Sequence, residues 1–207
     1  MIQRLIAKFG YNKPIFTYEI LTEMNNYSRP RVFQLLKILE QKGDIVKYMK
    51  GIYYIPTTTR FGKSLISVEE VVRKKFISDD TNVYGIYGGL QMQQSFLVTY
   101  QVPTSIEVIT NNETMWIREI KIKNRLITLR KSRLPINKNN VDAYTILELF
   151  NNIDIKKYLS DRSIQREVIN FIKEKEIKSK DIYSIAGAFP AKATRNIMES
   201  GVLDVLA

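Results

Sequence analysis

Apolar positions along the first third of the chain follow a helical period, then switch to a short alternating one. Ile2, Leu5, Ile6 and Phe9 fall at i, i+3, i+4 and i+7 and are followed by Gly10, which predicts a short amphipathic helix. A second helix is expected from Thr17, a plausible N-cap, burying Ile20 and Leu21 and broken at Asn25-Asn26-Tyr27. Ser28 is suited to cap a third helix, with Pro30 in its first turn and Val32, Leu35, Leu36 and Leu39 as its buried stripe; Gly43 ends it. Two β-like runs follow, Asp44–Met49 and Ile52–Ile55, joined by Lys50-Gly51 and stopped by Pro56.

Beyond this block the pattern changes. Residues 57–67 are polar and rich in Thr and Ser, and read as a linker. Residues 68–77 look helical, and 84–98 is a glycine-containing stretch that then turns helix-like. Ser105–Thr110 reads as a strand, and 114–122 with 126–132 as a hairpin turning at Asn124. Three helical stripes follow: Ile164, Val168, Phe171 and Ile172; then Ile182, Ile185, Ala186 and Phe189; then Thr194, Ile197, Met198, Gly201 and Val205. The fold class expected is α+β: an N-terminal winged helix-turn-helix over residues 1–60, then a mixed α/β domain over 61–207.

Composition narrows the chemistry. The 207 residues include no cysteine and no histidine. Disulfides, thiolate zinc sites, cysteine nucleophiles and histidine general bases are therefore excluded. Gly62-Lys63-Ser64 resembles the end of a phosphate-binding loop, but the glycine such a loop needs five residues earlier is Thr57. Gly85, Gly88 and Gly89 miss the dinucleotide fingerprint and read as turn or close-packing glycines. Glu69-Glu70 and Asp79-Asp80 are adjacent pairs, not the spaced carboxylates that hold magnesium. No catalytic residue, metal or cofactor is expected. The N-terminal MIQRLIAKFG has no apolar run of signal-peptide length, and no stretch approaches the roughly 20 apolar residues of a membrane span, so a cytoplasmic protein is expected.

The net charge of +11 favours polyanionic partners. It is uneven: residues 1–60 carry ten basic and four acidic side chains, and residues 118–133 carry seven and one. In the first region the third helix places Arg29, Arg31, Gln34 and Lys37 outward. Arg pairs bidentately with guanine and Gln with adenine in the major groove, so these are the candidate readers of duplex DNA. Lys47 and Lys50 on the hairpin, and Arg4 and Lys8 on the first helix, suit phosphate contacts. A module of this shape also serves in protein contacts, and that alternative stays open. In the second region, Arg118, Lys121, Lys123, Arg125, Arg130, Lys131 and Arg133 form either a second polyanion surface or a basic edge that resists aggregation. Alternation there puts Ile120 and Ile122 on one face and Lys121 and Lys123 on the other.

The segment from Ser28 to Pro56 contains Lys42-Gly43, Ile45-Val46 and Gly51-Ile52-Tyr53 before the proline. Tyr84–Asn111 reads YGIYGGLQMQQSFLVTYQVPTSIEVITN, and the chain closes with AKATRNIMESGVL. Together these resemble the AbiEi-type antitoxins of type IV (abortive-infection E) toxin–antitoxin systems. The resemblance implies a bifunctional protein. Its winged helix would bind operator repeats in double-stranded promoter DNA and repress its own operon, and its C-terminal domain would counter a cognate nucleotidyltransferase toxin without a stable complex. The alternative is a stand-alone winged-helix regulator whose second domain senses a ligand or partner.

Overall fold

A computed structural model describes residues 1–205. The last two positions of the expected 61–207 domain, and the side chain of Val205 in the last stripe, lie outside the described residues. The chain divides into two compact units, Met1–Lys74 and Lys75–Ala207, each considered by itself.

In the first unit the helical stripes become α1 (Ile2–Phe9), α2 (Thr17–Glu23) and α3 (Arg29–Lys42). Leu5, Ile20, Met24, Val32, Leu36 and Leu39 meet in one core with Ile15, Ile45, Tyr53 and Ile55. Ser28 caps α3 through its carbonyl, which accepts from Val32 N–H at 3.0 Å. Gly43 closes the helix in the left-handed region at φ 73°, where a Cβ would be strained. β2 (Val46–Met49) and β3 (Ile52–Tyr54) form the expected hairpin, with a register shift between Lys47 and Met49.

The sequence reading gives no hint of β1 (Ile15–Phe16), which pairs antiparallel with β3 and makes the sheet order β1-β3-β2. Its formation moves the start of α2. Phe16, not Thr17, is the N-cap; its N–H donates to Glu19 Oε2 at 2.7 Å, and Thr17 instead donates to the Gly51 carbonyl through both N–H and hydroxyl.

The polar stretch expected as a linker is a second small hairpin, β4 (Thr58–Thr59) with β5 (Gly62–Lys63). Thr and Ser here are structural. Thr57 N–H donates to Ser64 Oγ at 2.9 Å and to Asn12 Oδ1 at 3.2 Å, and Ser64 Oγ also bonds Asn12 Oδ1. α4 (Val68–Val72) follows, capped by Ser67 Oγ accepting from Glu70 N–H, and runs into a π-helical turn at Arg73–Ile77. Lys74 bonds the Pro14 carbonyl and Glu19, tying this segment to the first unit. The break between units therefore falls after Lys74, where the sequence reading places it near residue 60.

The second unit is a four-stranded sheet of order β6-β7-β9-β8 with helices packed against it. β6 (Gly85–Tyr87) runs antiparallel to β7 (Ser105–Thr110), β7 parallel to β9 (Arg125–Lys131), and β8 (Ile117–Ile122) antiparallel to β9. α5 (Gly89–Ser95) lies between β6 and β7 in the chain. α6 (Val141–Asn152), α7 (Ile155–Ser160), α8 (Arg162–Glu174), α9 (Ser179–Ala186) and α10 (Ala191–Ser200) complete the unit. Ile86 and Ile109 on one sheet face share a core with Met92 and Phe96 of α5, Leu147 and Phe150 of α6, Val168 of α8 and Ile197 of α10. Mixed α and β structure is as expected for the class.

Candidate nucleic-acid interface

α3 is held by its buried stripe, so its opposite side must face outward. Gln34, Lys37, Ile38 and Gln41 recur at helical spacing along that side, and all are exposed. Arg31 flanks the stripe on one side, donating to Gln34 Oε1 at 3.3 Å. Arg29 and Phe33 flank it on the other, with the guanidinium 5.9 Å from the ring centre. The helix carries no acidic residue before Glu40. The helix dipole adds positive potential at the same end. Sequence reasoning thus places all four α3 candidates on the surface but misses Gln41, on the same stripe one turn beyond Lys37. Its i+7 spacing from Gln34 is the signal that could have found it.

Lys47 and Lys50 are exposed on the β2–β3 hairpin, as Arg4 and Lys8 are on α1. Arg4 is already engaged, its Nε 2.6 Å from Glu23 Oε1 and a terminal nitrogen 3.4 Å from Asn26 Oδ1. Its charge is partly spent at the surface, whereas among the described residues Lys47 and Lys50 form no ion pair. The β4–β5 hairpin adds a feature the sequence reading passed over. Arg60 sits 5.0 Å from the ring of Phe61, which is 88% exposed at the turn. Lys63 is committed elsewhere: its ammonium donates to the Gly43 carbonyl at 2.7 Å, capping the C-terminus of α3.

The second basic segment does not form one face. Arg130 bonds Glu107 at 2.8 Å and Glu148 at 3.2 Å. Arg133 reaches to 3.8 Å from Glu148 and lies over the rings of Trp116 and Phe189. Arg118 grips the buried Glu113 at 2.7 Å. These three arginines are structural groups around buried carboxylates, which alternation alone could not reveal. Lys121, Lys123 and Lys131 are exposed, and Arg125 is half-buried. Ile122 is buried and Lys121 exposed, as the alternation predicts, while Lys123 takes a turn position at φ 51°. Register places Lys121 on the face of Leu126 and Lys131 on the opposite face with Leu129.

The glycines of the second unit have a packing role. A Cβ on Gly85 would lie 2.1 Å from the Phe76 carbonyl oxygen. At Gly89, with φ 51°, it would lie 2.6 Å from Glu107 Oε2. The Gly88-Gly89 turn thus makes room for the Glu107 carboxylate that holds Arg130. Separately, a cavity of about 490 Å³ opens in this unit, with Ile86, Met92, Phe96 and Phe171 on its wall and Asp142 and Glu167 among its polar groups. Burial raises the Asp142 carboxyl above its ordinary value, with Glu174 adding to the shift against the opposing pull of Lys175. Among the described residues no group of three or more metal-ligating side chains converges. Nor, among them, is any helix long and apolar enough to cross a membrane.

No curated protein matches the chain. A family model does, over residues 15–181, which takes in α2, α3 and the β2–β3 hairpin as well as the sheet and α6 to α8 of the second unit. On that match the chain belongs to the DUF6088 family, a family of unknown function.

Proposed function

We propose that the first unit is a winged helix-turn-helix that reads duplex DNA, and that the protein is an autoregulatory antitoxin of the AbiEi type. One observation carries the DNA-binding part. The surface of α3 before Glu40 presents Arg29, Arg31, Gln34 and Lys37 without an intervening acid, next in the chain to a hairpin bearing Lys47 and Lys50. In a groove-inserted helix, Arg31 and Gln34 supply base contacts, and the hairpin lysines supply phosphate contacts. The antitoxin part rests on the resemblance of Tyr84–Asn111 and of the C-terminal AKATRNIMESGVL segment to that group. In this reading the chain is a cytoplasmic binding protein, not an enzyme, and needs no cofactor. It represses its own promoter and opposes a nucleotidyltransferase toxin functionally.

The test is a salt-dependent titration of the full chain against the duplex upstream of its own gene and a scrambled duplex. Preference for the upstream duplex supports the reading. Equal, steeply salt-sensitive binding to both reduces the basic side chains to a polyanion surface. No binding to either sinks the DNA assignment.

A second reading keeps the DNA-binding unit but makes the second unit a sensor. The cavity between β6, α5, α6 and α8 favours it, because an apolar wall with a few polar groups is what a small ligand requires. A toxin gene beside this one, whose toxicity the chain relieves, decides for the antitoxin.

A further inference from the structure

β8 ends the sheet of the second unit, and among the described residues β9 is the one strand that pairs with it. An open edge invites pairing with another chain unless a bulge, a proline, a cover or unmatched charge blunts it. β8 has neither a bulge nor a proline: six consecutive pairs, from Ile117↔Arg130 to Ile122↔Arg125, run without a register shift. Ile117, Arg118, Glu119 and Lys121 are all exposed. Met115 and Trp116, just before the strand, are 55% and 62% exposed.

Hairpin geometry fixes which backbone groups are available. Ile122 and Arg125 close a two-residue turn, so they form a hydrogen-bonded pair. Alternation then turns the N–H and C=O of Ile122, Ile120 and Arg118 toward β9, and those of Lys121, Glu119 and Ile117 outward. The Trp116 carbonyl, which accepts from Lys131 N–H at 3.2 Å, fits this parity. Two copies joining antiparallel about a two-fold axis can use only registers in which outward residues oppose outward residues. The pairing must therefore centre on a residue, not between two.

The candidate centres differ in charge. Centring on Glu119 sets glutamate against glutamate. Centring on Lys121 sets lysine against lysine, and centring on Arg118 sets arginine against arginine. Centring on Ile120 sets Glu119 against the partner's Lys121, and by symmetry Lys121 against the partner's Glu119, with Ile120 facing its own copy. Among the described residues neither Glu119 nor Lys121 has an ion-pair partner within the chain. We propose that the protein forms a homodimer through antiparallel β8–β8 pairing centred on Ile120. The two four-stranded sheets then become one continuous sheet of isologous symmetry. This inference rests on β8 alone and stands whether or not the DNA-binding reading does. In the same register Trp116 opposes the partner's Asn124, which brings the chain's single tryptophan to the rim of the interface.

Light scattering coupled to size exclusion, repeated over a dilution series of the full chain, tests this. The expected mass is twice that of the 24.2 kDa chain. Glu119→Lys and Lys121→Glu each turn two attractive cross-strand pairs repulsive and should each weaken association by about tenfold or more. The double charge swap, E119K with K121E, should restore it. Circular dichroism should show all three variants folded, since both positions are exposed. Tryptophan emission of the wild-type protein should shift on dilution through the dissociation range. A monomeric wild-type protein at micromolar concentration overturns the proposal. So does a dimer indifferent to both single substitutions, or a double swap that fails to recover association.

Discussion

At the scale of single residues, the arginines divide by what their carbons and charges touch. Arg31 stands on an exposed helix face and donates to Gln34. In the DNA-binding reading, Arg31→Ala should cost about 1–3 kcal/mol at the operator and relax preference at one base position. Lys50→Ala should instead weaken binding to all duplexes alike and reduce the salt slope by about one. Titrations against operators with single base changes, at two salt concentrations, separate the two outcomes. Uniform loss for Arg31→Ala would reassign it to a phosphate. Arg130 belongs to the other kind. It bridges Glu107 to Glu148, a glutamate only 1% exposed whose Oε1 also accepts from Asn152. Both carboxylates offset the cost of burying the guanidinium and hold its pKa above its ordinary value. Arg130→Met leaves Glu148 without its nearest cation. A loss of about 3–5 kcal/mol in urea unfolding is expected. Arg133→Met should cost less, because its closest approach to Glu148 is 3.8 Å. Equal losses for the two would show that the carboxylate is neutralised some other way.

Among secondary-structure elements, legibility followed amphipathicity. α1, α3, α8 and α10 bury one stripe and expose the other, and each was visible as a period in the sequence. α6 carries no such period. Ala143, Tyr144, Ile146, Leu147, Leu149 and Phe150 are buried around nearly its whole circumference, so no polar face marks the period. β1 is two residues long and owes its existence to β3, a partner distant in the chain. Residues 57–64 carry the polarity of a linker, although the Thr57 and Ser64 hydroxyls bond Asn12, Ser64 Oγ accepts from Thr57 N–H and the Thr59 hydroxyl donates to the Gly62 carbonyl. The candidate reading face on α3 was legible because it needs only one helix. The roles of Arg118, Arg130 and Arg133 depend on carboxylates elsewhere in the chain, which no local pattern reports. The loop before β8 shows the consequence. Burial by itself would raise the Glu113 carboxyl, but the N–H groups of Met115 and Thr114 and the guanidinium of Arg118 outweigh it and hold it below the ordinary 4.5. A depressed folded-state value means this carboxylate stabilises the fold above about pH 4.5, with that contribution lost as pH falls through the folded value. Glu113→Gln should therefore lower the melting temperature at neutral pH and flatten its decline on acidification below pH 4.5. Parallel decline in wild type and variant would place the acid sensitivity in other carboxylates.

Across the whole molecule, the proposed function assigns its two tasks to different units. Residues 1–60 hold ten basic and four acidic side chains, with the candidate readers on a helix packed in its own core. The second unit has a core built around α6, and three of its arginines, Arg118, Arg130 and Arg133, are held by Glu107, Glu113 and Glu148. Each unit has its own cluster of buried side chains, so the two proposed tasks are expected to be lost one at a time. Substituting Arg29, Arg31 and Gln34 together by alanine changes three exposed side chains and no member of either core. Unfolding midpoints should stay within about 0.5 kcal/mol of wild type per site, as for ordinary surface substitutions. Preference for the upstream duplex should vanish. If the antitoxin reading holds, the same triple variant, expressed from an unrelated promoter, should still relieve growth arrest by the toxin encoded beside it. Loss of both DNA preference and relief, in a protein that remains folded, would mean the DNA-binding face is itself the antitoxic element. Retention of DNA preference would instead remove α3 as the reader and turn attention to the Arg60-Phe61 turn, where an exposed aromatic ring and a cation share a hairpin tip.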